Sequence, residues 1–325
     1  MNIDRKQFFK VLAAGTVATS GVSTLFARER KLLPKNAVGI LYDATLCIGC
    51  KSCEVECKKV NGMSGVFDTK LEQSHNVSGI WDGGNDLDSK TLNKIKMYRN
   101  GTSSTKDKET NGYAFIKRAC MHCIDPNCVS ACPVTALTKD PITGIVQYDK
   151  GACIGCRYCQ VACPFNIPKF EFDKALPEIV KCEMCKHQLD KGGIPGCCDV
   201  CPTGASLFGP VEKLMKEARR RIKAQPGTKY RYPVSSLESG ETQTHTVQKY
   251  ISYIYGEKET GGTQYLILSA VPYEKLGLLK LPEKSAASTS EKIQHTAYKG
   301  MIAPVVLLGG LLYAAHRSTK QDSTE

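Results

Sequence analysis

Residues 153–164 read Cys153-Ile154-Gly155-Cys156-Arg157-Tyr158-Cys159-Gln160-Val161-Ala162-Cys163-Pro164, which is the pattern C-x-x-C-x-x-C-x-x-x-C-P. Three closely spaced thiolates, followed by a fourth cysteine before proline, are the ligand pattern of a 4Fe-4S cluster, and the fourth cysteine binds the neighbouring cluster. Gly155 allows a tight turn between ligands and lets backbone N–H groups approach the inorganic sulfides. The stretch therefore predicts an iron-sulfur protein with more than one cluster.

The same pattern occurs three more times, once closely and twice in looser form. The close copy begins at Cys47 and repeats the Ile-Gly between its first two cysteines. The candidate ligands are Cys47, Cys50, Cys53, Cys57, Cys120, Cys123, Cys128, Cys132, Cys153, Cys156, Cys159, Cys163, Cys182, Cys185, Cys197 and Cys201. They account for 16 of the 17 cysteines, so the sequence predicts four 4Fe-4S clusters. Cys197 is preferred to Cys198 because it restores the spacing of the other motifs, and Cys198 is predicted to be a buried thiol.

Zinc, disulfides and histidine ligation are the alternatives for so many cysteines. Zinc sites use two pairs of ligands rather than repeated runs of four that end in Cys-Pro. Disulfide frameworks belong mostly to short domains that lack a core. His122 and His187 lie within or beside motifs. Each motif already has four thiolates, so we expect these histidines to support ligands or to lie at the surface.

Spacing leaves two ways of pairing the motifs. The adjacent motifs 120–132 and 153–163 form one natural two-cluster unit, and motifs 47–57 and 182–201 would form the second. The ligand sets on this pairing are Cys47, Cys50, Cys53 with Cys201; Cys182, Cys185, Cys197 with Cys57; Cys120, Cys123, Cys128 with Cys163; and Cys153, Cys156, Cys159 with Cys132. Spacing alone also permits the first motif to pair with the second and the third with the fourth.

The segments around the motifs suggest export and a partner surface. Residues 1–27 have the character of a twin-arginine-type signal, with Arg5-Lys6 before a weakly apolar run, and that route carries folded, cofactor-loaded proteins. The four-cluster domain is predicted at 38–211, and its polar insertion at about 58–112 is expected to meet another subunit. An extension at 212–279 follows.

Short regular elements are predicted between the motifs. Strands are expected at 38–42 and 94–99, the latter paired with 113–117, and a hairpin at 137–146 has an Asp-Pro turn. Residues 212–223 predict an amphipathic helix. Its basic run 219–221 is interpreted as a solvated helix end rather than a nucleic-acid contact, because cations favour helix C-termini.

The C-terminal region is predicted to anchor the chain. A linker at 280–299 precedes an apolar run at 300–316, which is predicted to be a transmembrane helix. Its sixteen apolar residues, 300–315, at about 1.5 Å each give about 24 Å, against about 30 Å of hydrocarbon. Flanking residues such as Lys299 and Arg317 are expected to reach the interface. The predicted localisation is the periplasmic side of the inner (cytoplasmic) membrane. The predicted fold class is α+β, with two tandem ferredoxin-like two-cluster units, polar insertions and one C-terminal transmembrane helix.

The formal net charge of +12 would ordinarily suggest an anionic partner such as nucleic acid. Four oxidised clusters with thiolate ligands would bring about −8 and leave the loaded protein near about +4. The basic excess is therefore expected to balance the cofactors, and no nucleic-acid partner is predicted.

Four such motifs resemble the four-cluster ferredoxin-type subunits of bacterial membrane oxidoreductases, including formate dehydrogenase and dimethyl sulfoxide reductase complexes. Four stretches resemble more closely the iron-sulfur subunit of hydrogenase-2-type nickel-iron uptake hydrogenases: residues 120–128, 189–197, 255–259 and 294–301. The resemblance runs from the signal to the C-terminal run. Lys6, Cys198 and the insertion depart from the family.

The resemblance implies a non-catalytic electron wire and the pairing of the outer motifs. Electrons from hydrogen would pass from the large and small hydrogenase subunits through four clusters to an integral membrane subunit that reduces quinone. No residues resemble a nickel site, a pterin site or a general acid–base pair. The alternatives are the equivalent subunit of a formate dehydrogenase or sulfur-compound reductase and, in a different class, a zinc-binding membrane adaptor.

Overall fold

A computed structural model describes residues 31–63, 79–81 and 86–321. The predicted signal at 1–27 and much of the insertion lie outside these ranges. The strands are β1 Val38–Asp43, β2 Gly79–Trp81, β3 Lys94–Arg99, β4 Thr105–Lys106, β5 Gly112–Arg118, β6 Leu137–Lys139, β7 Val146–Tyr148, β8 Lys169–Phe170, β9 Ile179–Val180, β10 Ser206–Pro210, β11 Lys229–Pro233, β12 Thr242–Thr246 and β13 Tyr265–Leu268. The helices are α1 Ser52–Val60, α2 Asn127–Ser130, α3 Tyr158–Ala162, α4 Lys186–Leu189, α5 Gly196–Asp199, α6 Val211–Lys223 and α7 Ala286–Gln321.

A three-stranded sheet in the order β10-β1-β13 joins distant parts of the sequence. β1 pairs antiparallel with β10 and parallel with β13, so that Leu41 lies opposite both Leu207 and Leu266. Strand β1 is apolar on both faces, and Leu41 is fully buried. One face of the sheet packs against Leu214 and Ala218 of α6. The strand expected at 38–42 and the helix expected at 212–223 are confirmed.

This sheet contradicts the prediction of two tandem units. The region Arg30–Ser285 is one compact unit, and the chain has mixed α and β structure with small sheets. The first cysteine motif follows β1, and the last motif precedes β10. Because β1 pairs with β10, the first and last motifs fold against each other, and the two middle motifs lie in the same compact unit rather than in a separate one.

The polar insertion contributes to a four-stranded sheet in the order β2-β3-β5-β4. β3 and β5 pair antiparallel, as the sequence predicts. The insertion also holds the first cysteine motif: Glu54 of α1 accepts the backbone N–H of Ile95 at 2.6 Å, and the Asn93 side chain donates to the carbonyl of Cys53 at 3.2 Å. Part of the segment predicted as a partner surface is therefore part of the body.

The remaining short elements support the later motifs. β6 and β7 form the predicted hairpin, and Asp140 Oδ1 accepts the backbone N–H groups of Ile142 and Thr143 in its turn. β8–β9 and β11–β12 are two further antiparallel pairs. Four of the helices are only four or five residues long and lie within or beside cysteine motifs. The cysteine loops thus depend on tertiary contacts rather than on long secondary elements.

The C-terminal helix corrects the predicted anchor. α7 begins at Ala286, inside the stretch predicted as a linker, and contains Pro304. Among the residues that the structure describes, no helix is long and apolar enough to cross a membrane. The apolar part is short, about 24 Å against about 30 Å of hydrocarbon, and the first turns of α7 carry Ser, Glu, Lys and Gln. The prediction of a transmembrane helix at 300–316 is wrong, and so is the localisation in which it anchors the chain at the periplasmic side of the inner membrane.

Candidate iron-sulfur sites

The sixteen motif cysteines form four groups within the compact unit Arg30–Ser285. Site A comprises Cys47, Cys50, Cys53 and Cys201, which line one cavity. Site B comprises Cys57, Cys182, Cys185 and Cys197, which line a second cavity. Site C comprises Cys120, Cys123, Cys128 and Cys163, and site D comprises Cys132, Cys153, Cys156 and Cys159. In every site, three cysteines come from one motif and the fourth from another.

The thiols of each site lie close enough to affect one another's ionisation. Burial raises the pKa of Cys123 well above its usual range, and the thiolates of the other three site C cysteines raise it further. Burial raises the pKa of Cys159 to about 11, and Cys132 and Cys153 add to the increase. Burial likewise raises the pKa of Cys57 to about 12, and the nearby Cys197 is the next largest cause of the increase. Crowded, buried thiols need an external positive charge, such as iron, to become thiolates.

The structure joins motifs in the outer-with-outer arrangement that the sequence left open. Cys201 of the fourth motif lies at site A with the first motif, and Cys57 of the first lies at site B with the fourth. The two middle motifs exchange Cys163 and Cys132 in the same way. The antiparallel pairing of β1 with β10 is the reason, because it brings the outer motifs together.

The third position of each C-x-x-C loop has the same unusual backbone conformation. Its φ angle is positive at Gly49 (72°), Gly155 (71°), Met184 (54°) and His122 (45°). Three of these loops direct the N–H of that residue at the first cysteine: Gly49 to Cys47 at 3.5 Å, Gly155 to Cys153 at 3.4 Å and Met184 to Cys182 at 3.3 Å. The sequence predicts this turn at the glycines, where a positive φ is easy. The sequence does not predict a positive φ at Met184 or His122.

His122 is a buried, neutral side chain at the edge of the site B cavity. Burial, and then the charges of Lys181 and Lys139, hold the pKa of His122 well below its usual range. Nδ1 accepts the N–H of Val146 at 3.1 Å, so Nε2 carries the proton. This Nε2 is buried without a hydrogen-bond partner in the described structure, and the ring lines the cavity of site B. His187, in contrast, is exposed and contacts the carbonyl of Val60.

Lysines with buried or half-buried side chains lie beside sites A, B and C. They were not predicted from the sequence. Lys117 is fully buried beside sites A and B. Lys139 lies beside site C, where its Nζ donates to the Cys123 carbonyl at 2.9 Å, and burial lowers its pKa to about 8. Lys181 lies near Cys128 of the same site. The available signal was the position of Lys117 directly after the apolar residues 113–116 of strand β5.

These features fit a 4Fe-4S group. Each site offers four cysteines, the loops of sites A, B and D direct an N–H group at sulfur, and lysines lie beside sites A, B and C. These features suit an anionic cluster with sulfide edges. The buried Nε2–H of His122 is one more donor without a protein acceptor in the described structure. Within the described ranges, no three metal-binding side chains are arranged to hold a single ion. Cys198 is fully buried beside Cys197 and belongs to none of the four sites, consistent with the buried thiol predicted for it.

Contacts between sites place them in the order A, B, C, D. Cys53 of site A interacts electrostatically with Cys197 of site B. Cys182 of site B interacts with Cys120 of site C. Cys128 of site C interacts with Cys159 of site D. Each site therefore adjoins the next, and sites A and D are the two ends of the series.

Only the two end sites have exposed apolar residues in their loops. Ile48, next to Cys47 of site A, is 55% exposed, and Cys50 is also exposed. Ile154 of site D is 65% exposed. Met121 occupies the same loop position at site C and is buried. The two Cys-Ile-Gly-Cys loops therefore lie at sites A and D, the two ends of the series.

Comparison with known proteins is consistent with these sites. Residues 112–211 match the family model of the 4Fe-4S dicluster domain. The chain is 47% identical to the hydrogenase-2 operon protein HybA of Escherichia coli O157:H7, over 98% of this chain and 97% of that protein. It is 33% identical to the iron-sulfur subunit of the nitrate-inducible formate dehydrogenase of Escherichia coli K12, over 66% of this chain and 68% of that protein.

Proposed function

This chain belongs to the family of the hydrogenase-2 operon protein HybA, and from that premise we propose that it relays electrons between a nickel-iron hydrogenase and a membrane subunit that reduces quinone. It is an iron-sulfur electron-transfer subunit and is not itself catalytic. The observation that carries the proposal is the contiguous series of four cysteine sites with an exposed loop at each end.

The sixteen cysteines of sites A to D are proposed as the ligands of four 4Fe-4S clusters. Each bound cluster would supply reversible one-electron exchange. The support is that four cysteines gather at each site and that Cys198, the one cysteine left over, does not complete any of them. The pairing of Cys57 with the fourth motif and of Cys201 with the first belongs to the same proposal.

The residues around the sites would exclude water from the clusters and balance their negative charge. Residues of sites A, B and C lie in the same core cluster as Tyr42, Phe115 and Tyr265. Such packing limits solvent access and fixes the ligands, both of which influence reduction potential. Lys117 and Lys139 bring positive charge to the same region. No side chain in this region needs to transfer a proton for the relay.

The ends of the series are the proposed contact points with redox partners, which are the hydrogenase small and large subunits and the membrane subunit. Three side chains around site D are apolar and exposed to solvent: Ile154, Tyr158 and Val161. Exposed apolar residues grouped around a functional loop are typical of protein interfaces. A partner cluster brought against this surface would be near the terminal site.

We expect Val161→Glu to lower hydrogen-driven quinone reduction by the complex by roughly tenfold, equal to about 1.4 kcal/mol. Val161 is 87% exposed, so the substitution should spare the fold while placing a charge in a dry interface. The measurement is quinone reduction by membranes that contain equal amounts of the complex, together with the iron content. Leu32→Glu is the matched control, because Leu32 is 80% exposed and lies outside every motif. Equal activity in the two variants would remove this surface from the interface.

The proposed function is tested by isolating the tagged protein gently with its partners and assaying dye reduction with hydrogen or formate as donor. We expect hydrogen to drive the reaction and nickel to be present in the complex. Formate as the effective donor would favour the second candidate, the iron-sulfur subunit of a formate dehydrogenase, to which this chain is also similar. Zinc without iron and acid-labile sulfide would contradict both.

A further inference from the structure

Lys117 is a buried cation at the junction of sites A and B. It lies on β5, Gly112–Arg118, and its side chain is 1% exposed. Its Nζ donates to the hydroxyl of Ser206 at 3.1 Å. It also lines the cavity of site B.

Lys117 adjoins the cavities of both sites. It lines the site B cavity together with Cys57, Cys182, Cys185 and Cys197. Ser206, which accepts the hydrogen bond from Lys117 Nζ, lines the site A cavity together with Cys47, Cys50, Cys53 and Cys201. Lys117 therefore acts on two neighbouring sites at once.

Two other buried or half-buried lysines have carboxylate partners: Lys96 lies 3.9 Å from Asp86, and Lys106 lies 2.7 Å from Asp107. Lys139 and Lys181, beside site C, donate instead to backbone carbonyls. In the described ranges, no carboxylate pairs with Lys117, whose hydrogen-bond partners are the hydroxyl of Ser206 and the sulfur of Cys197. A buried ammonium without an anion is costly. Anionic groups at sites A and B would supply the missing countercharge.

We propose that Lys117 is an electrostatic positioning residue that raises the reduction potentials of the clusters at sites A and B together. This inference rests on the proposed function. A fixed positive charge stabilises the reduced, more negative form of a cluster more than the oxidised form. Lys117 makes no bond and transfers no proton: one electron arrives at a site and one leaves, and the ammonium stays charged throughout. Among the described residues, Lys117 donates hydrogen bonds at sites A and B only, so the potentials of sites C and D should respond less.

The test is a potentiometric titration of the purified complex, followed by electron paramagnetic resonance, for Lys117→Met. We expect the reduction equilibrium at sites A and B to shift at least tenfold towards the oxidised form, which is about 59 mV for a one-electron couple. The signals of C and D should shift less than those of A and B. Cys50→Ser and Cys197→Ser identify the signals of A and B by their loss. Lys117→Arg should keep the native potentials, and Lys139→Met is the comparator, because that half-buried lysine lies at site C.

Unchanged potentials at A and B in Lys117→Met, or an equal shift at all four sites, would overturn the proposal. If Lys117→Met does not load A and B, Lys117→Gln takes its place, since it keeps a hydrogen-bond donor for Ser206. Failure of both neutral variants to load, with normal loading of Lys117→Arg, supports a requirement for charge. Failure of Lys117→Arg as well shows a purely structural role. Absence of iron-sulfur signals from the unaltered protein would contradict the proposed function itself.

Discussion

Cys197→Ser is expected to reduce hydrogen-driven quinone reduction by at least about a hundredfold, equal to about 2.7 kcal/mol or more of lost transition-state stabilisation. Cys197 is buried at site B, the second site of the series A to D. Loss of the site B cluster should interrupt the relay between site A and site C. The protein should lose one cluster's share of iron and sulfide, while hydrogen oxidation by a dye that reacts at the hydrogenase itself continues.

The neighbouring cysteine supplies the matched control for this experiment. Cys198→Ser changes the same atom at an equally buried position one residue later. It should keep its iron, its sulfide and its quinone reduction, because Cys198 belongs to none of the four sites. The reverse pattern would transfer the ligand role from Cys197 to Cys198. Loss of both the dye and the quinone reactions in Cys197→Ser, with the complex intact, would argue against an electron relay.

Arg221→Met is expected to destabilise the compact unit Arg30–Ser285 by roughly 3–5 kcal/mol, because it leaves the buried carboxylate of Asp43 without a cation and removes the closer cation of Glu217. Arg221 is fully buried on α6. Its guanidinium lies 3.0 Å from Asp43 and 2.9 Å from Glu217, and it stacks over Tyr232 at 4.9 Å. Asp43 ends strand β1, so this cluster ties α6 to the central sheet. The expected fall in the thermal midpoint of the cluster-loaded protein is roughly 10 °C.

Arg219→Met is the control for the Arg221 variant. Arg219 stands two residues earlier on the same helix, and its ion pair with Glu257 is more than half exposed on the arginine side. An exposed pair contributes about 0–1 kcal/mol, so the thermal midpoint should barely change. Arg221→Lys should fall between the two, because a lysine cannot match the two-armed contact of a guanidinium. Equal midpoints for the Arg221→Met and Arg219→Met variants would show that the buried cluster does not hold α6 to the sheet.

The buried Arg221 corrects the interpretation of the basic run as a solvated helix end. Arg219 and Arg220 are indeed exposed, but the third arginine faces the sheet. On a helix, residues two apart point in different directions. A charged residue is nevertheless expected at the surface unless a partner is known. The partner here is Asp43, which is 178 residues away in sequence.

The predictions that were wrong concern contacts between residues far apart in sequence, or the length and polarity of a whole helix. The tandem arrangement is wrong because all four motifs fold into one compact unit, and the cysteine spacing carries no information on how motifs far apart in sequence pack together. The transmembrane anchor was wrong because local apolarity at 300–316 was given more weight than the length and polarity of the whole helix. The buried lysines were missed because a lysine in a strand is ordinarily a surface residue.

By itself, the sequence determined the chemistry: thiolates at short, regular spacing must meet in one loop, and four such loops with proline after three of them indicate iron-sulfur binding. It also determined local elements such as the 137–146 hairpin, because turn residues act over a few positions. Only the tertiary structure decided which distant cysteine completes each site, the order of the four sites and the position of Lys117 between two of them. Those features depend on burial and on strand pairing between residues as far apart as Val38 and Pro210, and contacts at that separation leave no periodic signal in a single sequence.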